Sequence, residues 1–351
     1  LLSKIIFEFL PRPILIRCHL SVHIFTFKGL KALQIRELNA KPALVECPSP
    51  IPNKGEVLVQ IKAAALNHRD LFITQGLYAG IRTPCILGSD AAGICDSKRV
   101  VLYPALHWGD NPNFQGKNFR VLGMPDDGTF AEQIRIPLAN VFPMPQHLNW
   151  EQAAALPLAG LTAWRTLFSR CQLKKGEKVL ITGIGGGVAL MALQLAVAAE
   201  AIVFVSSGSE EKIERALKLG AQGGVNYREQ GWEKQLKQAA GGFDVILDSA
   251  GGDGFAMFPA LCNPGARIGF YGGTLGKVNG LSLQPLFWKQ ISLHGSTMGS
   301  PAEFEAMLAF VAKLKIIPVV DAVFPLSKSD LAFEKMEKGG QFGKIVLDLG
   351  Q

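Results

Sequence analysis

The 351-residue chain is 48% hydrophobic and 19% charged, enough apolar material for a large core and about two domains and a composition unlike that of a disordered chain. Its net charge is +7, and Lys4, Arg12, Arg17 and Lys28 against Glu8 give the first 30 residues +3 of it. No dense Lys/Arg run is interleaved with aromatics, which speaks against a nucleic-acid-binding module, and no apolar run reaches the roughly 18–20 residues of a membrane span. The six cysteines, Cys18, Cys47, Cys85, Cys95, Cys171 and Cys262, show no C-x-x-C spacing. A disulfide scaffold or closed zinc site is therefore not expected, and a reducing, cytoplasmic setting is the default.

Residues 1–30 are apolar, basic and acid-poor, and Pro11 and Pro13 interrupt any long helix. Two readings stay open for them: a mitochondrial transit peptide, or a segment foreign to the domain that begins at KALQIREL. KALQIREL and EVLVQIKAAAL then read as strands, and recurrent Pro and Gly up to Pro145 predict an irregular β-rich domain. NWEQAAALPLAGLTAWRTLF predicts a helix, with Asn149 as N-cap and Glu151 and Gln152 in its first turn. From Lys178 the pattern alternates. The strands are EKVLITG, AIVFVSS, GGVNY, FDVILDSA, ARIGFYG and ISLHGSTMG. The helices between the first five are VALMALQLAVAAE, SEEKIERALKLG, WEKQLKQAA and GFAMFPALCNPG, the last with a turn. This order predicts βαβ units around a parallel sheet. The helix PAEFEAMLAFVAKLK and the strand GKIVLDL close the chain.

The cluster Gly185, Gly186 and Gly187 lies between the strand Val179–Thr182 and a helix beginning at Val188. In that position glycine permits a tight turn and a close approach to a pyrophosphate, and the following helix aims free N–H groups and its dipole at the anion. The alternative is a turn that only packs a helix on a sheet. At the end of the second strand, where NAD-selective sites carry an acid for the ribose 2′-hydroxyl, stand Ser206, Ser207, Gly208 and Ser209, with Lys212 close by. Hydroxyls and a cation accept a 2′-phosphate that a carboxylate would repel, so NADP(H) is the expected cofactor. The rival reading is a polar helix start, with Glu210 and Glu211 as dipole partners.

The stretches ALNHRDLFITQGLYAGI, LGSDAAG, AAALPLAGLTAW, VLITGIGGGVALMALQLA and QFGKIVLDL resemble the medium-chain dehydrogenase/reductase superfamily, in its zinc-independent quinone oxidoreductase branch, over roughly residues 31–351. The resemblance implies a GroES-like β-barrel catalytic domain (31–150), a doubly wound Rossmann domain (151–290) and a return to the catalytic side (291–351). It implies a cleft between the domains, a homodimer, and hydride transfer from NADPH to a small electrophile: a quinone, enone or enoyl thioester. It places Asn67 and Thr162 near the nicotinamide, and Gly186, Gly187 and Val188 at the pyrophosphate. Ser207, Lys212 and Tyr227 fall around the 2′-phosphate, and Gly251, Gly272 and Gly273 along the cofactor path. Tyr227 also reads as a plain strand-end aromatic. Tyr78 is the candidate proton donor, or else a wall of the pocket.

The chain departs from that pattern in two places, and it lacks the metal ligands of the zinc-dependent relatives. The last glycine of the glycine motif is Ala189. Zinc-dependent relatives hold catalytic metal with Cys, a His-Glu pair and a further Cys or Asp, whereas this chain has Asn67 and Ser89-Asp90, and no four-cysteine lobe within PALHWGDNPNFQGKNFRVLG. No metal is therefore expected, and His68, Asp70 and Cys85 are not expected to form one of their own. Between GSDAAGIC and RVVLYP stand only Asp96, Ser97 and Lys98, so the barrel is expected to lack part of a strand pair. That gap keeps open a catalytically idle NADPH-binding protein of the crystallin type. An RNA-binding relative and alcohol oxidation are further alternatives.

Overall fold

A computed structural model describes residues 29–350. The reading of the first 30 residues lies almost wholly outside them.

Two sheets organise the chain. The first has seven strands, taken in the order Val141–Pro143, Lys98–Leu102, Asp90–Cys95, Glu56–Ala65, Lys344–Asp348 and Val320–Pro325, with Gln133–Pro137 also pairing on Glu56–Ala65. Its pairings are antiparallel except the last, Val320–Pro325 with Lys344–Asp348. A smaller sheet, Ala43–Cys47, Leu30–Ile35 and Cys85–Ile86, packs beside it. Alternate residues such as Leu33, Ile35, Val59, Ile61 and Phe130 fill the barrel core, as period-two strands with one buried face require.

The hairpin Asp90–Cys95/Lys98–Leu102 corrects one expectation. The two strands pair without interruption from Ala92↔Val101 to Cys95↔Lys98, and a two-residue turn closes the hairpin. Asp96 at φ 45° and Ser97 at φ 63° both take the left-handed conformation, which makes the turn's twist match that of the strands. The short connection is absorbed by the turn, and the barrel is not breached. Within the same strand Gly93 is obligatory, because a Cβ there would fall on the carbonyl oxygen of Gln60.

The second sheet is fully parallel. Its order is Gly223–Asn226, Ile202–Ser207, Lys178–Ile181, Phe243–Asp248, Cys262–Phe270 and Ser292–Gly295. Numbered along the chain this is 3-2-1-4-5-6, the doubly wound arrangement whose ligand crevice opens at the carboxyl ends of the strands where the order reverses. Ser292–Gly295 belongs to this sheet, so the chain leaves it after residue 295 and not at 290. The strand Cys262–Phe270 also begins four residues before the expected ARIGFYG and takes in the supposed turn CNPG.

The helical stretch after Asn149 is segmented. Asn149 accepts from the Gln152 backbone N–H (2.8 Å), and its own N–H donates to Gln152 Oε1 (3.1 Å), a reciprocal cap that starts the helix Trp150–Ala154. Pro157 begins a new helix, Pro157–Trp164, and Arg165–Arg170 then forms a π turn. Helix Pro301–Leu314 packs on Pro157–Trp164. The buried Tyr103 hydroxyl of the barrel side donates to the Gly299 carbonyl (2.7 Å), and Arg165 pairs with Glu303 (2.7 Å), so both halves are tied at this seam.

Candidate active site

A cleft of about 740 Å³ runs between the two sheets. From the parallel sheet come Gly183, Gly186, Gly187, Val188, Ser207 and Lys212; from the barrel come Asn67, His68 and Arg69. The strand Lys178–Ile181 ends in a glycine loop, and Gly186 caps the helix Gly187–Ala198 with no side chain in the way. Hypothetical Cβ atoms at Gly183 and Gly186 would meet nothing within 4 Å. The first-turn N–H groups of a twelve-residue helix thus face open space, which suits a pyrophosphate. At Gly187 a Cβ would fall 2.6 Å from Lys344 Cδ. The close approach in the motif is therefore made at Gly187, and Ala189 is a buried helix residue with room for its methyl group.

At the end of the strand Ile202–Ser207 the Ser207 hydroxyl accepts from the Ser209 N–H (3.2 Å). A Cβ on Gly208 would lie 2.9 Å from the Tyr227 hydroxyl and 2.7 Å from Arg228 Nε. Tyr227 and Arg228 therefore close over the same short turn. Lys212 runs back across Gly185, where a Cβ would sit 2.9 Å from its Cδ, and its ammonium donates to the Gly339 carbonyl (3.4 Å). Burial pushes the Lys212 pKa down, against the pull of Asp321 and Glu211. The cleft wall carries the cations Arg69, Lys212 and Arg228, besides Lys344, which is paired with Asp90, against one carboxylate among the described residues, Glu211. Such a wall favours an extended anionic ligand.

At the floor stands a buried polar group. The Lys344 ammonium contacts Asp90 Oδ2 (2.9 Å) and donates to Asn67 Oδ1 (2.5 Å), and Asn67 Nδ2 donates to Asp90 Oδ2 (3.0 Å). The other Asp90 oxygen accepts from the Leu158 N–H (2.8 Å). Every charge is paired, as burial demands. Asp70 lies behind this group. It is fully buried, one oxygen accepts from the Asn67 N–H (2.8 Å) and the other has no partner among the described residues. Burial is the main cause that raises its carboxyl to about 6. His68 is pushed down by burial and then by the Lys344 charge.

Asn67, Gly186, Gly187, Val188, Ser207, Lys212, Tyr227 and Gly272 thus line one cleft. Gly185 supports its loop, accepting from the Gly343 N–H (2.9 Å). Ser206, Thr162, Gly251, Gly273 and Tyr78 do not line it. Ser206 is buried in its strand, with its carbonyl taken by the Ile184 N–H (2.9 Å). Thr162 is buried in its helix. Gly251 is held by Asp248, whose Oδ2 accepts from the Ala250 (3.0 Å) and Gly251 (2.7 Å) N–H groups. Tyr78 sits behind Arg69, whose Cζ is 4.9 Å from the ring centroid and whose Nε donates to its hydroxyl (3.4 Å). Arg69 is fixed in turn by Ser89 Oγ (2.7 Å) and the Leu122 carbonyl (2.6 Å). Sequence reasoning missed Asp90 and Lys344 as site residues, although both fall in motifs already singled out. It also missed Arg228, the neighbour of Tyr227.

Residues 53–146 match the alcohol dehydrogenase GroES-like domain, and residues 187–313 match a domain described as zinc-binding dehydrogenase. The chain is 36% identical to the zinc-type alcohol dehydrogenase-like protein YogA of Leptosphaeria maculans, over 87% of this chain and 93% of that one. It is 28% identical to the quinone oxidoreductase of Homo sapiens, over 93% and 97%. Among solved structures it is similar to an NAD-dependent alcohol dehydrogenase, with a TM-score of 0.85 and 33% identity over 91% of this chain and 99% of the other. The chain belongs to the medium-chain dehydrogenase/reductase superfamily of oxidoreductases.

Proposed function

We propose that this protein is an NADPH-dependent reductase that delivers hydride to a quinone, enone or enoyl thioester without a metal. The observation that carries the reading is the Lys344 ammonium seated on Asp90 and Asn67. It occupies the donor atoms nearest to those a catalytic zinc would use, and Asn and Ser are poor zinc ligands. A carbonyl bound here lacks a Lewis acid, which favours acceptors that need orientation and a proton more than polarisation by a metal.

NADPH fits the residues present. The open glycine loop and the helix start at Gly187 would hold the pyrophosphate, and Ser207, Lys212, Tyr227 and Arg228 would hold the 2′-phosphate. When bound, the nicotinamide supplies the hydride. Asn67, fixed by Lys344 and Asp90, orients the ring end of the cleft. The acceptor gains the hydride at carbon or quinone oxygen and one proton. Tyr78 is the proposed source of that proton for an enone: it stands behind Arg69, which donates to its oxygen and leaves the phenolic proton free to pass on through a water that reaches the cleft past Arg69.

The test is turnover by chelator-treated protein. NADPH oxidation with 9,10-phenanthrenequinone, an enone or crotonyl-CoA supports the reading. Activity confined to alcohol oxidation and restored only by zinc would overturn it. A catalytically idle NADPH-binding protein is the alternative, and it would bind NADPH without turnover in the same assay. A homodimer is also proposed. Its support is the free edge strand Ser292–Gly295, with Leu293, Phe287 and Trp288 exposed nearby, and light scattering would measure it.

A further inference from the structure

A second cavity of about 430 Å³ shares Tyr271 and Gly272 with the cleft. Both arginines of the π turn, Arg165 at its start and Arg170 at its end, line it. π turns are uncommon and recur at functional sites. Here the turn brings residues five apart to one wall.

The two guanidinium groups differ. Arg165 is buried and consumed: it grips Glu303 through both carboxylate oxygens (2.7 Å each), donates to the carbonyls of Pro112 (3.1 Å) and Asn113 (2.5 Å), and stacks on Trp108 at 5.0 Å. Arg170 is half-buried and spends only Nε, on the Gly295 carbonyl (3.0 Å). Among the described residues no carboxylate pairs with it. Its terminal nitrogens keep their donors. Nearby, Ser296 Oγ is buried and has no hydrogen-bond partner among the described residues. Among the described residues no carboxylate lines the cavity, and Phe114, Phe270 and Tyr271 supply its apolar part. The His294 imidazole, next to the lining residue Gly295, is pushed down by burial and by the charges of Arg170 and Arg267.

The buried, orphaned Ser296 hydroxyl costs free energy unless something satisfies it, and the partly exposed Arg170 guanidinium offers unspent donors in the same cavity. Arginine's planar fork matches a carboxylate. We infer that this cavity takes the carboxylate end of the substrate, held by Arg170 and Ser296, while its apolar body passes Tyr271 and Gly272 into the cofactor cleft. The substrate class is thereby narrowed to an electrophile carrying a carboxylate on an apolar chain. The inference rests on the reductase reading, but the binding half of its test does not depend on turnover.

The probes are vinyl ketones bearing a carboxylate on a methylene chain, taken as a series of increasing length, each compared with its methyl ester. With NADPH, the wild-type protein should prefer the acid over the ester by tenfold or more in kcat/KM at the best chain length, on the order of one charge-assisted hydrogen bond. Arg170→Gln should raise KM for the acid about tenfold and leave the ester within about twofold, and Ser296→Ala should act in the same direction and less. Arg170→Lys should recover part of the loss. Equal use of acid and ester by the wild type, or equal losses on both, would overturn the assignment. Calorimetry on the NADP-loaded protein with the saturated keto acids is the second readout. Binding lost in Arg170→Gln upholds the pocket even if no probe is turned over, an outcome that would sink the reductase reading alone. Saturated acids and esters that bind alike, or acids that do not bind at all, would sink the pocket.

Discussion

The Lys344 ammonium lies 2.9 Å from Asp90 Oδ2, with the lysine side chain 6% and the aspartate 0% exposed. The two residues are 254 positions apart, and their pairing locks the closing strand of the chain to the barrel strand that begins at Asp90. Removing one partner of such a pair leaves an uncompensated buried charge, whereas removing both does not. Lys344→Met should therefore destabilise the fold by about 3–5 kcal/mol, and Lys344→Met with Asp90→Asn should recover most of that loss. Urea denaturation of the single and double variants measures both. A single variant as stable as wild type would refute the pairing.

Asp70 provides a pH test. Its carboxyl is raised from 3.8 to about 6, mainly by burial. The folded state thus holds a proton that the unfolded state has already lost, so stability falls as pH rises between about 4 and 6, and the cost is complete above that window. Asp70→Asn keeps an acceptor for the Asn67 N–H and cannot ionise. Relative to wild type it should gain on the order of 2 kcal/mol on going from pH 4 to pH 7. Thermal unfolding of both proteins across that range checks it; a constant difference would contradict it.

The turn at Asp96–Ser97 holds two non-glycine residues in the left-handed region. Such residues are strained there, and Asn-Gly is the preferred pair for this turn. Asp96→Asn with Ser97→Gly should stabilise the protein by about 1 kcal/mol, read as a higher denaturation midpoint with unchanged slope. A loss of stability would mean that the turn is not the one described.

Much of the parallel sheet was legible because its signals are local. The run strand, glycine loop, apolar helix lies within residues 178–198, and an Asn149 cap with Gln152 three residues on marks its own helix. What escaped is set by contacts distant in sequence. Val320–Pro325 carries no clean alternation of buried and exposed residues, and it becomes a strand because Lys344–Asp348 pairs with it. Tyr78 sits in a motif that suggested a donor facing the cleft, yet Arg69, nine residues earlier, takes the nearer place. Periodicity says which residues share a face, not which of two neighbours stands in front. Arg228 follows Tyr227 directly, and only the fold of the turn over Gly208 shows that both reach the same spot.

Tyr78→Phe tests the proposed proton donor while keeping the ring that stacks on Arg69. Enone turnover should fall on the order of a hundredfold, as for loss of a general acid. Quinone reduction should fall much less, because the reduced oxygen is a stabilised phenolate that solvent can protonate. Enone turnover within about twofold of wild type would remove Tyr78 from the chemistry.

The central claim is that the end of the strand Ile202–Ser207 receives a 2′-phosphate. The most direct measurement is kcat/KM for NADPH and for NADH, with 9,10-phenanthrenequinone as acceptor, in wild type, Lys212→Ala and Arg228→Gln. Wild type should prefer NADPH. Each substitution should cost about 1–3 kcal/mol with NADPH, the worth of a charge-assisted hydrogen bond, and almost nothing with NADH. Equal losses on both cofactors, or a wild-type preference for NADH, would contradict it.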